Sequence, residues 1–116
     1  FATNRFVYLS FSEPGPDGTA GTAVARGRLN ADATALEGTQ VIYRQTPKVE
    51  SGGHFGSRIA FTPDGKLWIT QGDRQQARWR TQAQELGSGI GKVMRVNADG
   101  SVPNDNPFAT RAGARG

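Results

Sequence analysis

The chain holds a single histidine, His54, in the stretch GGHFGSRIAFTPDGKLWITQGD, and a carboxylate, Asp73, closes the same stretch nineteen residues on. An imidazole with one nitrogen bonded to a carboxylate has a fixed tautomer. Its other nitrogen can then take a proton from a substrate hydroxyl. Gly53 and Gly56 flank the histidine, and small neighbours leave room for a ligand to approach the backbone. The same residues are also consistent with a surface histidine beside an ordinary loop aspartate.

Whether the two meet depends on the elements between them. Arg58–Thr62 and Leu67–Gln71 are short, apolar and joined by PDG, which predicts a hairpin. With Asp64-Gly65 as a two-residue turn, Phe61 pairs with Trp68 and Ile59 with Thr70 on one face. Ala60 then pairs with Ile69 and Thr62 with Leu67 on the other. Antiparallel pairing carries His54 and Asp73 to the end opposite the turn. Both faces are apolar in this register, so the sheet is expected to be covered on both sides.

Four more strands are predicted: Phe6–Ser12, Thr22–Leu29, Gln40–Gln45 and Lys92–Asn97, each bounded by turn residues. RLNADAT (28–34) returns as RVNADGS (95–101), and RFVYLS (5–10) more loosely as GKLWIT (65–70). Repeats of about 40–50 residues mark propeller blades, which usually have four strands. The period here is longer, and the long loops at 13–21 and 72–90 account for the excess in this reading. The expected fold is therefore all-β: part of a β-propeller, with about two incomplete blades of antiparallel strands. Residues 1 to about 50 are read as the last three strands of one blade, and about 51–116 as the first three of the next. Two blades cannot close a ring. The chain also opens on a strand lead-in, so it reads as a piece of a longer protein or one that assembles as a homo-oligomer.

Composition narrows the chemistry. With 116 residues, 35% apolar and 16 glycines, the chain suits strands and turns. There is no cysteine, which excludes disulfides and thiolate metal sites, and one histidine does not make a typical zinc site. No run is apolar enough to span a membrane, and no signal peptide is visible. The net charge is +4, but the basic residues are scattered, which argues against a nucleic-acid partner. Arg74, Arg78 and Arg80 around Trp79, in the long loop 72–89, are the strongest nucleic-acid signal, with a lid or subunit contact as the other functional reading. Gln71, Gln75 and Gln76 lie near the His54/Asp73 end and could hydrogen-bond a polyol. GSGIGK (87–92) superficially resembles a phosphate loop but leads into a strand, so it reads as a turn. The aspartates of DGSVPNDNPF (99–108) lack calcium-loop spacing.

The ordered set G-x-H-F-G-x-R-I, F-x-P-D-G-K-L-W-I-T-x-G-D and G-K-V-M-R-V-N-x-D-G-S-V-P-x-D-N-P-F resembles the soluble PQQ-dependent aldose sugar dehydrogenases of the glucose/sorbosone dehydrogenase family. The resemblance runs through nearly the whole chain and is loosest at 13–38 and 74–87. It implies a six-bladed β-propeller, pyrroloquinoline quinone with calcium nearby, an aldose substrate, a separate electron acceptor and a periplasmic or secreted location. It also implies that His54 is the catalytic base for the sugar's C1 hydroxyl and Asp73 its orienting catalytic partner. The substrate-binding and cofactor-binding residues of this chain are unknown from sequence, and no metal ligand is assigned to it. The family's GHRN-type segment and the later residues that hold quinone and calcium lie outside it. Arg58, inside the matched motif, is read as structural or site-supporting. The alternative is a non-catalytic ligand- or protein-binding propeller that has lost the cofactor.

Overall fold

The computed structural model describes residues 1–115. Six strands form: β1 (Phe6–Pro14), β2 (Ala20–Leu29), β3 (Leu36–Arg44), β4 (Gly56–Phe61), β5 (Leu67–Gln71) and β6 (Val93–Val96). They make two three-stranded antiparallel sheets, ordered β1-β2-β3 and β4-β5-β6. The fold is all-β, as the alternation of short apolar runs and turn residues predicts. β3 begins four residues earlier than expected. After the half-buried Leu36, residues 37–40 are exposed and polar or glycine, and pairing with β2 reaches them through register shifts.

The two Asn-Ala-Asp turns are built alike. After β2, the Asn30 side-chain amide donates to Thr34 Oγ1 at 3.0 Å. After β6, Asn97 donates to Ser101 Oγ at 2.9 Å. In both, a backbone N–H three residues on returns to the asparagine carbonyl, from Ala33 and from Gly100. The repeat in the sequence is therefore a repeat of local structure, in which the asparagine side chain staples the turn.

The predicted hairpin register is one residue off. β4 and β5 pair Phe61 with Leu67, Ala60 with Trp68 and Ile59 with Ile69. The turn has three residues, Pro63-Asp64-Gly65, closed by the Thr62 N–H to the Lys66 carbonyl at 3.0 Å and the Gly65 N–H to the Thr62 carbonyl at 2.9 Å. Gly65 takes φ +76°, the left-handed residue that a three-residue hairpin loop requires. The slip changes which residues share a face. Ile59, Leu67 and Ile69 now lie together, and Leu67 and Ile69 are fully buried. On the opposite face, Trp68 and Val93 are exposed rather than covered.

The buried face of the second sheet packs on the first. Leu67, Ile69, Met94 and Val96 meet Val24 and Tyr43, with Tyr8, Ile42 and Ile59 at the margin. Polar bonds lock the two sheets together. The Tyr8 hydroxyl and an Arg26 guanidinium nitrogen both donate to the Ala98 carbonyl, at 3.0 and 2.8 Å. Arg95 gathers the PDG turn and the PNDNP segment, bonding Asp64, Asp105 and Asn106. That occupies Asp105 with an internal partner, and the Ser101 N–H and hydroxyl bond Asp99 in the same way.

Candidate active site

At the open end of the β4–β5 hairpin a β-bulge adds a second one-residue shift to that of the turn. Pairing shifts between Ile59 and Gly56, so that Gly56 faces Gln71. Ser57 takes φ +72° in this irregularity, and the Thr70 hydroxyl bonds both the N–H and the carbonyl of Arg58. Beyond the bulge, the Gly72 N–H donates to the Phe55 carbonyl at 3.1 Å. The chains cross so closely that a Cβ on Gly72 would collide with the His54 carbonyl. A Cβ on Gly56 would sit 2.9 Å from the Gly72 nitrogen. The glycines around His54 thus make room for protein rather than ligand, contrary to the sequence expectation. The free side of Gly53 is filled by the Gln75 side chain.

This crossing brings the two candidate residues together. His54 Nδ1 lies 2.7 Å from Asp73 Oδ1. The same carboxylate oxygen accepts the Gln75 N–H at 2.9 Å, and Oδ2 lies 3.4 Å from Arg80 Nε. The Gln75 N–H, and after it the bond from His54, hold the Asp73 carboxyl below its ordinary value. An ionised carboxylate only accepts, so Nδ1 carries the proton and the neutral ring keeps Nε2 as a lone-pair base. The His54 side chain is 54% exposed, and its hydrogen bond among the described residues is made through Nδ1.

The first sheet holds the histidine segment in place. The Thr22 hydroxyl donates to the Phe55 carbonyl at 2.8 Å, and the Ser10 hydroxyl donates to the Ser57 carbonyl. Under the other arm, Gln71 is buried and its amide donates to the Tyr43 hydroxyl at 2.6 Å. Gln71 is therefore a buried tie rather than a surface group for a polyol. Gln76 donates to the Glu50 carbonyl at 3.1 Å. None of Ser10, Thr22 or Tyr43 carries a sequence signal for this role, because each depends on how the two sheets dock.

The Arg/Trp loop folds into two helical turns, Ala77–Arg80 and Thr81–Gln84. Arg74 is fully buried, which removes it from any basic surface patch. Arg78 lies over Trp79 and pairs with Glu50. In GSGIGK, Lys92 spends its three donors on the carbonyls of Gln82, Ala83 and Ile90, at 3.0, 2.8 and 3.1 Å. It is a turn anchor with no donor left for a phosphate. Among the described residues no cluster of three or more His, Cys, Asp or Glu could hold a metal ion. No helix among them is long and apolar enough to cross a membrane.

Two antiparallel sheets packed face to face, with a His–Asp pair at the rim between hairpin arms, define a piece of a β-propeller. The glucose/sorbosone dehydrogenase family model matches residues 1–116, and the chain belongs to that family. It is 44% identical over 115 residues to the aldose sugar dehydrogenase YliI of Escherichia coli, covering 99% of this chain and 30% of that protein. The quinoprotein glucose dehydrogenase B of Acinetobacter calcoaceticus is 30% identical over 128 residues, with 92% of this chain and 26% of that protein covered. The crystal structure of the E. coli soluble aldose sugar dehydrogenase in its apo form superposes with a TM-score of 0.92 at 43% identity, over 99% of this chain and 32% of that one. A glucose dehydrogenase structure matches with the same TM-score at 50% identity, over 99% and 35%. The chain thus spans about a third of the length of these relatives.

Proposed function

We propose that the full-length protein is a soluble aldose sugar dehydrogenase that oxidises the C1 hydroxyl to a lactone, with pyrroloquinoline quinone as its cofactor and calcium beside it. Family membership and the names of the relatives support an oxidoreductase acting on sugars. The observation that carries the role of this chain is the 2.7 Å contact between His54 Nδ1 and Asp73 Oδ1. In the tautomer with the proton on Nδ1 it leaves the Nε2 lone pair for a sugar hydroxyl, as a base requires. His54 Nε2 takes the C1 hydroxyl proton, and Asp73 stabilises the imidazolium that forms. The quinone would supply the two-electron acceptor, and calcium a polarising charge. Among the described residues no cluster of three or more His, Cys, Asp or Glu could hold the metal, and the groups that would hold calcium and the quinone belong, in this reading, to the rest of the protein. We place residues 6–44 in one blade, as its last three strands, and residues 56–96 in the next, as its first three, which leaves Trp68 and Val93 to be covered by the rest of the ring. A periplasmic location and a separate electron acceptor belong to the same proposal.

The test is a dye-linked aldose oxidation assay on the full-length protein with quinone and calcium. Activity is expected in the wild type and its loss in His54→Ala; full activity in that variant would remove the assigned role. Spectroscopic titration with the quinone separates this reading from a non-catalytic propeller, which would take up none.

A further inference from the structure

Arg74 follows Asp73 and is fully buried, an expensive place for a guanidinium. Its Cζ lies 3.5 Å from the centre of the Phe55 ring, flat-on contact with the residue after His54. One terminal nitrogen donates to the Ser51 carbonyl, and the Ser51 hydroxyl donates back to the Arg74 carbonyl at 2.6 Å. Nε and the other terminal nitrogen have no partner among the described residues, so the side chain is not there to complete an ion pair. Its backbone is also costly. Arg74 and Gln75 have φ +62° and +68°, and His54 has φ +49° across the gap. Left-handed backbone at non-glycine residues persists only where surrounding contacts hold it.

These contacts share one geometry. Ser51 and Phe55 bracket His54 on one arm, and Arg74 adjoins Asp73 on the other. A side chain that grips both Ser51 and Phe55 fixes the separation of the arms, and with it the distance from imidazole to carboxylate. The ties from Thr22 and Ser10 hold only the histidine arm. The Gly72 N–H to the Phe55 carbonyl and the Gln76 amide to the Glu50 carbonyl join the arms by one hydrogen bond each, whereas Arg74 holds two residues at once. The Arg80 contact to Asp73 is long and solvent-exposed, too weak to set the geometry.

We propose that Arg74 is a positioning residue: it clasps the His54 arm to the Asp73 arm and so keeps the imidazole in the Nδ1–H tautomer with Nε2 free. This rests on the reading of His54 as the base. The experiment therefore has one arm that needs no turnover. In full-length protein labelled with 15N-histidine, the His54 signals are identified by their loss in His54→Gln. The wild type is expected to show the Nδ1–H tautomer with a slowly exchanging proton. Arg74→Met should show mixed tautomers and fast exchange. Arg74→Lys, which keeps a charge but loses the flat face on Phe55, should fall between. In the sugar assay kcat should fall by about 100-fold in Arg74→Met, as for a misplaced catalytic group, while KM changes by less than about threefold.

A folded Arg74→Met with the wild-type His54 tautomer and exchange overturns the proposal, whether or not the protein oxidises sugar. Should Arg74→Met fail to fold, Phe55→Leu removes the ring under the guanidinium and Ser51→Ala the hydroxyl bond to the Arg74 carbonyl, and wild-type His54 signals in both overturn it equally. Wild-type protein with the expected tautomer but no aldose oxidation would overturn the dehydrogenase reading and leave the clasp standing.

Discussion

His54 Nδ1 and Asp73 Oδ1 lie 2.7 Å apart because the hairpin between them makes two departures from regular pairing that add in the same direction. The three-residue turn shifts the arms by one residue, and the bulge between Ile59 and Gly56 shifts them again. Past the bulge the arms are so close that only glycine is tolerated at position 72. The pair is thus a product of backbone irregularity, and its integrity should follow the residues that create it.

Asp73→Asn tests whether the carboxylate fixes the tautomer. The amide keeps the shape, but it can offer an N–H to Nδ1 and so favour the ring form with the proton on Nε2, where the base should be. In the full-length protein kcat is expected to fall by roughly 10²- to 10⁴-fold, the usual worth of a positioned acid or base. Steady-state kinetics on the folded variant check it. A loss confined to KM would place Asp73 in sugar binding instead.

Acid stability gives a second handle on the same residue. The folded carboxyl is held below its ordinary value of 3.8, first by the Gln75 N–H and then by His54. A carboxyl that is more acidic in the folded state stabilises the fold above its unfolded value. That contribution is lost as pH falls through the lower, folded value. Urea unfolding of the wild type and Asp73→Asn should therefore differ most near neutrality and converge below pH 3.8. Asp64, Asp99 and Asp105 are shifted the same way, so the difference between the two proteins, rather than either curve, is the measurement.

The contrast between what the residues announced and what they concealed has a physical basis. Turn residues are local, and they placed all six strands and the doubled Asn-Ala-Asp turn. The association of His54 with Asp73 was also readable, because the ends of a hairpin meet whatever its exact register. The register was not readable, since Pro63-Asp64-Gly65 suits either a two- or a three-residue loop and only the closed turn decides. The bulge depends on Ser57 entering left-handed backbone, which nothing about a serine foretells. Arg74 looked like part of an exposed basic loop, because an arginine's type argues for solvent and only the fold placed it on Phe55.

Two glycine substitutions should separate fold from site. Gly65, at φ +76°, has open space around it. Gly65→Ala should therefore cost only the backbone penalty, about 1–2 kcal/mol, and leave kcat unchanged. Gly72→Ala places a methyl group against the His54 carbonyl and must push the arms apart. It should lower kcat sharply even where urea unfolding shows a comparable stability loss. Equal kinetic effects from the two would mean that the crossing does not set the His54–Asp73 distance.

The corrected register makes a prediction of its own in the core. Ile69 is fully buried opposite Ile59 and packs towards Val24 and Tyr43, while its neighbour Trp68 points to the other face. In the register first expected, Trp68 shares its face with Phe61, and Ile69 lies with Ala60 on the reverse. Ile69→Ala should cost about 2–5 kcal/mol, the range for truncating a large aliphatic residue in a packed core. The loss should also loosen the contact between the sheets, since Ile69 and Leu67 supply its centre. Trp68→Ala, at a site 39% exposed in this chain, removes contacts on the opposite face only. Its cost in the full-length protein then measures what covers that face: under about 0.5 kcal/mol if it is solvent, and about 3–5 kcal/mol if another part of the protein packs against the indole. Urea unfolding of the two variants in parallel distinguishes these outcomes, and a negligible loss in Ile69→Ala would be incompatible with the observed pairing of β4 and β5.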